Sequence, residues 1–167
     1  MDLNILTYNI RGEMWTDDAT QSFADLITSY DIDLVCLQEV VRKYVEEKGR
    51  KGPRILKDLE KALDKKFGVI GFLPVQSPTR SVGNAMLYRK DRVKAVGQEY
   101  AKKFPKFSQR SGLEEFASNF LLPSRRVMMS QKFSLDGRKL ILYNVHLDYF
   151  GGDARRIYQI EYFFKLW

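Results

Sequence analysis

The sequence contains one cysteine, Cys36, in 167 residues, so no disulfide can form within the chain. That cysteine lies in the apolar run Leu34-Val35-Cys36-Leu37, where a buried structural thiol is expected. Proline and glycine are sparse, at 5 and 11 residues, and neither a repeat nor a low-complexity tract is present. This excludes fibrous, collagen-like and solenoid architectures and leaves an ordinary globular composition. Long apolar runs are also missing. The longest are strand-sized, and Asp2 and Asn4 stand where a signal peptide would carry positive charge followed by an apolar stretch. A soluble, cytoplasmic protein without a transmembrane segment is therefore expected.

Acidic residues are outnumbered, 21 against 28 Lys and Arg, for a net charge of +7. A basic surface favours polyanions such as nucleic acid, phosphorylated small molecules or an anionic membrane, without choosing among them. Part of the excess falls between Arg42 and Lys66, where Lys57, Lys61 and Lys65 recur at the spacing of one solvated helix face.

Periodicity supplies the element order. Leu3 to Asn9 reads as a strand ending at Arg11-Gly12, and Thr16-Asp17-Asp18 as a helix cap ahead of Phe23, Leu26, Ile27 and Tyr30. Asp33 to Glu39 is too continuously apolar for a half-exposed strand, suits one buried on both faces, and should end on Glu39. Gly52-Pro53 opens a second helix whose apolar face is Ile55, Leu59, Ala62 and Leu63, with Gly68 as its expected stop. Strands are expected over residues 69–73, 84–89, 93–100, 127–134 and 140–146, the last two joined at Leu135-Asp136-Gly137. Residues 101–124 read as a long excursion mixing Lys102, Lys103, Lys106 and Arg110 with Phe104, Phe107, Phe116 and Phe120. Such a stretch suits nucleic-acid contact, or equally a surface loop whose aromatics pack locally. A final helix begins at Asp153 and carries Ile157, Ile160, Phe163, Phe164 and Trp167 to the last residue. It reads as cut rather than finished.

Residues of catalytic potential recur at strand ends: Asn9, Glu39 and His146. Sites assemble there in layered α/β proteins, because the sheet fixes the side chains and the loops leave room for a ligand. Taken singly, each has a plain structural explanation as a turn former, a surface charge or a satisfied polar group. Together, a carboxylate, an amide and an imidazole point to a hard metal ion with an acid–base group beside it.

Four words in order, Leu6-Thr7-Tyr8-Asn9-Ile10-Arg11-Gly12, Asp33-Leu34-Val35-Cys36-Leu37-Gln38-Glu39-Val40, Gly83-Asn84-Ala85-Met86-Leu87-Tyr88-Arg89 and Asn144-Val145-His146-Leu147-Asp148, resemble successive motifs of the endonuclease/exonuclease/phosphatase superfamily. That superfamily includes deoxyribonucleases, apurinic-site endonucleases, inositol polyphosphate phosphatases and sphingomyelinases. Arg156-Ile157-Tyr158-Gln159 resembles its Arg-x-x-Gln, for which a structural role is expected.

The resemblance implies an α/β fold, a layered α-β-β-α sandwich, with residues 1–167 forming the N-terminal portion of one domain and the second half incomplete. It implies Glu39 as direct ligand of Mg²⁺ (or Mn²⁺), Asn9 as support for the metal and the scissile phosphate, and His146 as a phosphate-binding or proton-transferring group. Mg²⁺ suits such a site, since it takes one or two carboxylates and keeps several waters. Arg126, or its neighbour Arg125, matches an arginine that clamps substrate phosphate. Asn84 is a further phosphate-binding candidate, although its motif could equally serve the turn and sheet.

The sequence departs from the family in lacking a Gly-Asp-x-Asn segment after His146, where only Gly152-Asp153-Ala154-Arg155 stands, and a terminal Ser-Asp-His. Strands are supplied chiefly for one sheet and its helices. Three situations would reconcile this with burial of the exposed sheet face: a fragment of a longer protein, a second chain, or ends exchanged in an oligomer. The implied activity is Mg²⁺-dependent hydrolysis of phosphoesters, a nuclease foremost, with DNA or RNA or a phosphorylated small molecule as substrate and weak turnover by this chain alone. The alternative is a non-catalytic module that binds nucleic acid or a protein.

Overall fold

The computed structural model describes residues 2–11, 15–43, 55–73, 75–77, 80–104, 126–147 and 152–166. Strand β1 (Ile5–Asn9) pairs in parallel with β2 (Leu34–Lys43) through helix α1 (Asp17–Ser29). The α1 boundaries follow from local chemistry. Thr16 is extended and its hydroxyl accepts the Ala19 N–H at 3.2 Å, Asp17 and Asp18 face the positive helix end, and Phe23, Ala24 and Ile27 form the buried stripe. Asp31, at φ 51°, turns the chain out of the helix.

Helix α2 (Ile55–Ala62) buries Ile55 and Leu59 and exposes Lys57 and Lys61. Lys65 lies past its end, and the expected start at Gly52-Pro53 lies outside the described residues. Gly68 does not stop this helix. Asp64 and Lys65 make the exit in left-handed conformation, φ 53° and 56°, and Gly68 belongs to β3 (Phe67–Phe72). The glycine is needed there for clearance, because a Cβ would come within 2.2 Å of the Tyr88 ring.

Strand β4 (Val75–Ser77) and the first half of β5 (Arg80–Arg89) had no clear strand pattern in the sequence. β5 lies between β2 and β3, antiparallel to both, which buries Ser81 through Leu87 whatever their polarity. The first sheet thus runs β1-β2-β5-β3, with β4 on the end of β5.

A second sheet corrects the expectation of strands chiefly for one. β6 (Lys94–Lys103), β7 (Val127–Leu135) and β8 (Arg138–Val145) form an antiparallel trio. Lys102 and Lys103 therefore belong to a strand, and residues 105–125 lie outside the described residues. β7 and β8 meet in the expected two-residue turn, with Asp136 at φ 48° and Gly137 at φ 76°, the positive-φ pair that matches strand twist.

The sheets stack over a core of Leu34, Cys36, Met86, Val93, Met129 and Phe133, while α1 and α2 cover the outer face of the first through Phe23, Ile27, Val35, Leu37, Leu59 and Leu87. Apolar side chains on both faces of β2 explain its unbroken hydrophobic run. Helix α3 (Gly152–Leu166) lies along the second sheet, with Phe163 against Tyr143 at 5.4 Å and Tyr162 against Phe104 at 6.3 Å between ring centroids. The layers are α-β-β-α. No helix among the described residues is long and apolar enough to cross a membrane.

At the start of β2, the fully buried Asp33 accepts the Asn4 N–H at 3.0 Å and lies 2.8 Å from Arg92 Nη1. Its Oδ1 receives no aligned N–H, so the arginine contact is one of charge. Asp31 joins the cluster, and the Arg89 guanidinium beside it holds its carboxyl below the usual range. These charges pin the end of β2 remote from Glu39.

Candidate active site

β2 does not end on Glu39. Pairing with β5 runs Leu37 with Ala85, then resumes at Val40 with Gly83, so three steps on β2 oppose two on β5. The extra residue is a β-bulge, and Glu39 takes φ 56°. A non-glycine residue in left-handed conformation is disfavoured by about 1–2 kcal/mol. Bulges re-aim side chains, and this one sends the Glu39 carboxylate toward the second sheet.

Arg126 meets it there. Arg126 precedes β7 and His146 follows β8, and the His146 N–H donates to the Val127 carbonyl at 3.2 Å, so the two lie on adjacent strand ends. Arg126 Nη1 stands 3.3 Å from Glu39 Oε1, 2.6 Å from His146 Nε2 and 2.8 Å from His146 Nδ1. His146 Nε2 is 3.7 Å from Glu39 Oε1. One guanidinium nitrogen carries two hydrogens and accepts none, so it cannot serve all three neighbours at once. A ring nitrogen that takes a hydrogen from it must be the unprotonated one. The side chains of Arg126, His146 and Glu39 are 13%, 18% and 34% exposed, shielded enough to strengthen charge interactions yet open to a ligand.

Asn9 lies on the neighbouring strand, at the end of β1. The β1–β2 register sets Asn9 beside Gln38, the residue before Glu39, and the Ile10 N–H donates to the Gln38 carbonyl at 3.1 Å. Asn9 is exposed, and its Oδ1 accepts the Arg11 N–H at 3.0 Å.

Asn84 occupies a different place from a phosphate ligand. It is 1% exposed, and its amide donates to the carbonyls of Val127 at 3.2 Å and Asn144 at 3.1 Å. The phosphate-binding expectation gives way to a tether between sheets. Arg125 lies outside the described residues. Gln159 is buried within α3, in keeping with a structural part, and Arg156 pairs with Asp153 on the same helix.

Two further residues were not picked out from the sequence. Asn144 is buried and donates at 2.9 Å to the carbonyls of both Leu37 and Ala85, and Gln38 Nε2 donates to Asn144 Oδ1 at 2.8 Å. Their signal was available: a carboxamide inside each of two apolar strands, next to Glu39 and two residues before His146.

Among the described residues no group of three or more His, Cys, Asp or Glu could cage a metal ion. The expected oxygen donors among the described residues are the Glu39 carboxylate in the cluster and the Asn9 amide one strand away, beside Gln38. That set fits a cation that keeps most of its coordination as water and substrate oxygen, as Mg²⁺ does, and does not fit an ion held mainly by protein.

The fold is shared with solved structures. D. rerio TDP2 complexed with a single strand DNA product matches with a TM-score of 0.66 at 18% identity, over 98% of this chain and 53% of that one. The Bacteroides thetaiotaomicron mannosyl-6-phosphatase matches at 0.65 and 18%, over 99% and 60%. An endonuclease/exonuclease/phosphatase family protein from Leptotrichia buccalis matches at 0.66 and 15%, over 99% and 63%. The chain therefore spans between half and two-thirds of the length of these structures. No curated protein matches it significantly. The profile of one family runs over residues 6–166, from within β1 to the end of α3, and the chain belongs to that Endonuclease/Exonuclease/phosphatase family.

Proposed function

We propose that Glu39, Arg126 and His146, with Asn9 beside them, form the phosphate-binding half of a divalent-metal-dependent phosphoesterase site, and that its substrate is a nucleic-acid backbone. The observation that carries this reading is the convergence of a carboxylate, a guanidinium and an imidazole from both sheets within 3.7 Å. Arg126 holds a phosphate oxygen by charge-assisted hydrogen bonds, displacing its present contact with Glu39. His146 donates to a second phosphate oxygen or transfers a proton at the leaving atom. Glu39, with Asn9, would hold Mg²⁺ or Mn²⁺. The ion, when bound, polarises the phosphoryl group and offsets charge on the departing oxygen.

Nucleic acid is favoured over a phosphosugar by the exposed Lys94, Lys102 and Lys103 spread along β6, which suit a repeating polyanion better than a single phosphate. Among its solved relatives, TDP2 holds a single strand DNA product and another is a mannosyl-6-phosphatase, so both substrate types occur on this fold.

The groups that orient an attacking water come, on this reading, from a further segment of the same fold, in continuation of the chain or on a second one. Large apolar residues exposed at Ile5 and Tyr8 on β1, Ile141 on β8, and Ile157 and Phe164 on α3 support such a covering segment.

The test is fluorescence anisotropy of a labelled single-stranded oligonucleotide, with and without Mg²⁺, alongside cleavage of the same strand. Metal-enhanced binding that falls in Glu39→Gln and Arg126→Ala, with little turnover, supports the reading. Metal-independent binding unchanged in both variants would instead identify a binding module. Robust cleavage by the chain alone, abolished by Glu39→Gln, would overturn the part assigned to the further segment.

A further inference from the structure

Three carboxamides, Gln38, Asn84 and Asn144, lie behind the charged cluster. Burying an amide is unfavourable unless its hydrogen bonds are replaced, and apolar side chains of similar shape would pack the same space at no loss. Their bonds are replaced here, and the partners are informative. Asn144 spends both hydrogens on Leu37 and Ala85, the carbonyls of the last regular β2–β5 pair before the bulge. Gln38, which directly precedes Glu39, donates to Asn144 Oδ1 and at 3.1 Å to Thr7 Oγ1 on β1. Asn84 donates to the Val127 carbonyl, next to Arg126, and to the Asn144 carbonyl, two residues before His146. The links made by Asn84 and Asn144, and that from Gln38 to Asn144, thus end within two residues of Glu39, Arg126 or His146, or at the bulge that aims Glu39, while the other bonds of Gln38 hold it to Thr7 on β1 and to the Cys36 carbonyl.

Two stacked sheets held by apolar contact alone can slide, because such contacts are non-directional. Hydrogen bonds to named carbonyls fix register. We infer that the Gln38–Asn84–Asn144 cluster is a positioning device that locks the two sheets so that Glu39 faces Arg126 and His146. The three amides are positioning residues and touch neither phosphate nor metal. The inference rests on the reading of Glu39, Arg126 and His146 as one site.

His146 is the sole histidine of the chain, so ¹³C-histidine labelling gives one ring signal that reports on this site. The experiment compares the shift of that signal on Glu39→Gln, at fixed pH, in the otherwise native chain and in Asn84→Ala, with folding checked by circular dichroism. Mn²⁺ affinity is measured in parallel by electron paramagnetic resonance. In folded Asn84→Ala the Glu39→Gln response should fall by about twofold or more, because contact between the groups is what couples them. Mn²⁺ affinity should fall by roughly tenfold, as for other residues that orient ligands. A folded Asn84→Ala with native response and native affinity would overturn the inference, as would a native His146 signal indifferent to Glu39→Gln. Should Asn84→Ala fail to fold, Gln38→Met, which keeps the shape and removes the bonds to Asn144 and Thr7, takes its place with the same outcomes. Absence of Mn²⁺ binding in the native chain would remove the metal reading alone, and the His146 response would still decide the positioning role.

Discussion

Arg126 Nη1 lies 3.3 Å from Glu39 Oε1, across the gap between two sheets and 87 residues of sequence. The contact sets a guanidinium 13% exposed against a carboxylate 34% exposed. On the proposed function, an incoming phosphate would compete with Glu39 for the guanidinium hydrogens, and a cation would compensate the carboxylate in exchange. Arg126→Ala should therefore weaken oligonucleotide binding about ten- to hundredfold, the range for losing one or two charge-assisted bonds. Arg126→Lys should recover only part, since an ammonium keeps the charge but lacks the paired donors. Titrations of the three proteins at one salt concentration check this, and full recovery by lysine would mean that charge alone matters.

The left-handed backbone at Glu39 predicts an inverted stability order. Glycine normally weakens a strand relative to alanine, yet at φ 56° it alone escapes the Cβ clash. Glu39→Gly should be more stable than Glu39→Ala by about 1 kcal/mol, roughly 2–4 °C in Tm. Both lose the carboxylate, so neither should keep metal affinity. Thermal unfolding of the pair is sufficient to check the order.

Gly83 sits where β5 passes the end of β3. A Cβ there would come to 1.8 Å from the Phe72 carbonyl oxygen, a backbone atom that cannot swing aside. Gly83→Ala should destabilise the fold by about 3 kcal/mol, roughly 6–12 °C in Tm. Differential scanning calorimetry reads this directly.

Burial pushes the Cys36 thiol up to about 12 from an ordinary 9.0. The unfolded chain therefore loses its thiol proton near pH 9 while the folded chain keeps it to about pH 12. Between those values the unfolded state binds fewer protons, so this group's contribution to stability is complete below pH 9 and declines as pH rises. Native protein should resist iodoacetamide and become reactive on denaturation. Cys36→Ala should abolish this part of the alkaline decline, at a cost of about 1 kcal/mol for the lost packing.

Much of this architecture is legible in the residues, for reasons that also mark where legibility stops. Thr16-Asp17-Asp18 and Asp136-Gly137 are local signals, and the structure uses both as a cap and a turn. The run Leu34 to Leu37 is apolar because both its faces are buried. The bulge at Glu39 has no such mark: no glycine advertises it, and β2 resumes with Val40 and Val41. The opening of β5 is obscured because Arg80-Ser81-Val82-Gly83 looks like a turn, and Ser81 to Gly83 are buried only by strands drawn in from elsewhere in the chain. The site divides in the same way. Glu39 and His146 stand in recognisable words and Arg126 is marked only by its place before a strand, whereas the tethers between Asn144 and Gln38, or Asn84 and Val127, join residues 106 and 43 positions apart.

The most direct test is a Mn²⁺ titration of the native chain and Glu39→Gln, followed by electron paramagnetic resonance. A site built around Glu39 predicts one bound ion, weakened roughly tenfold or more by the isosteric loss of charge. Equal binding by the two proteins, or none by the native chain, would contradict a divalent cation at Glu39.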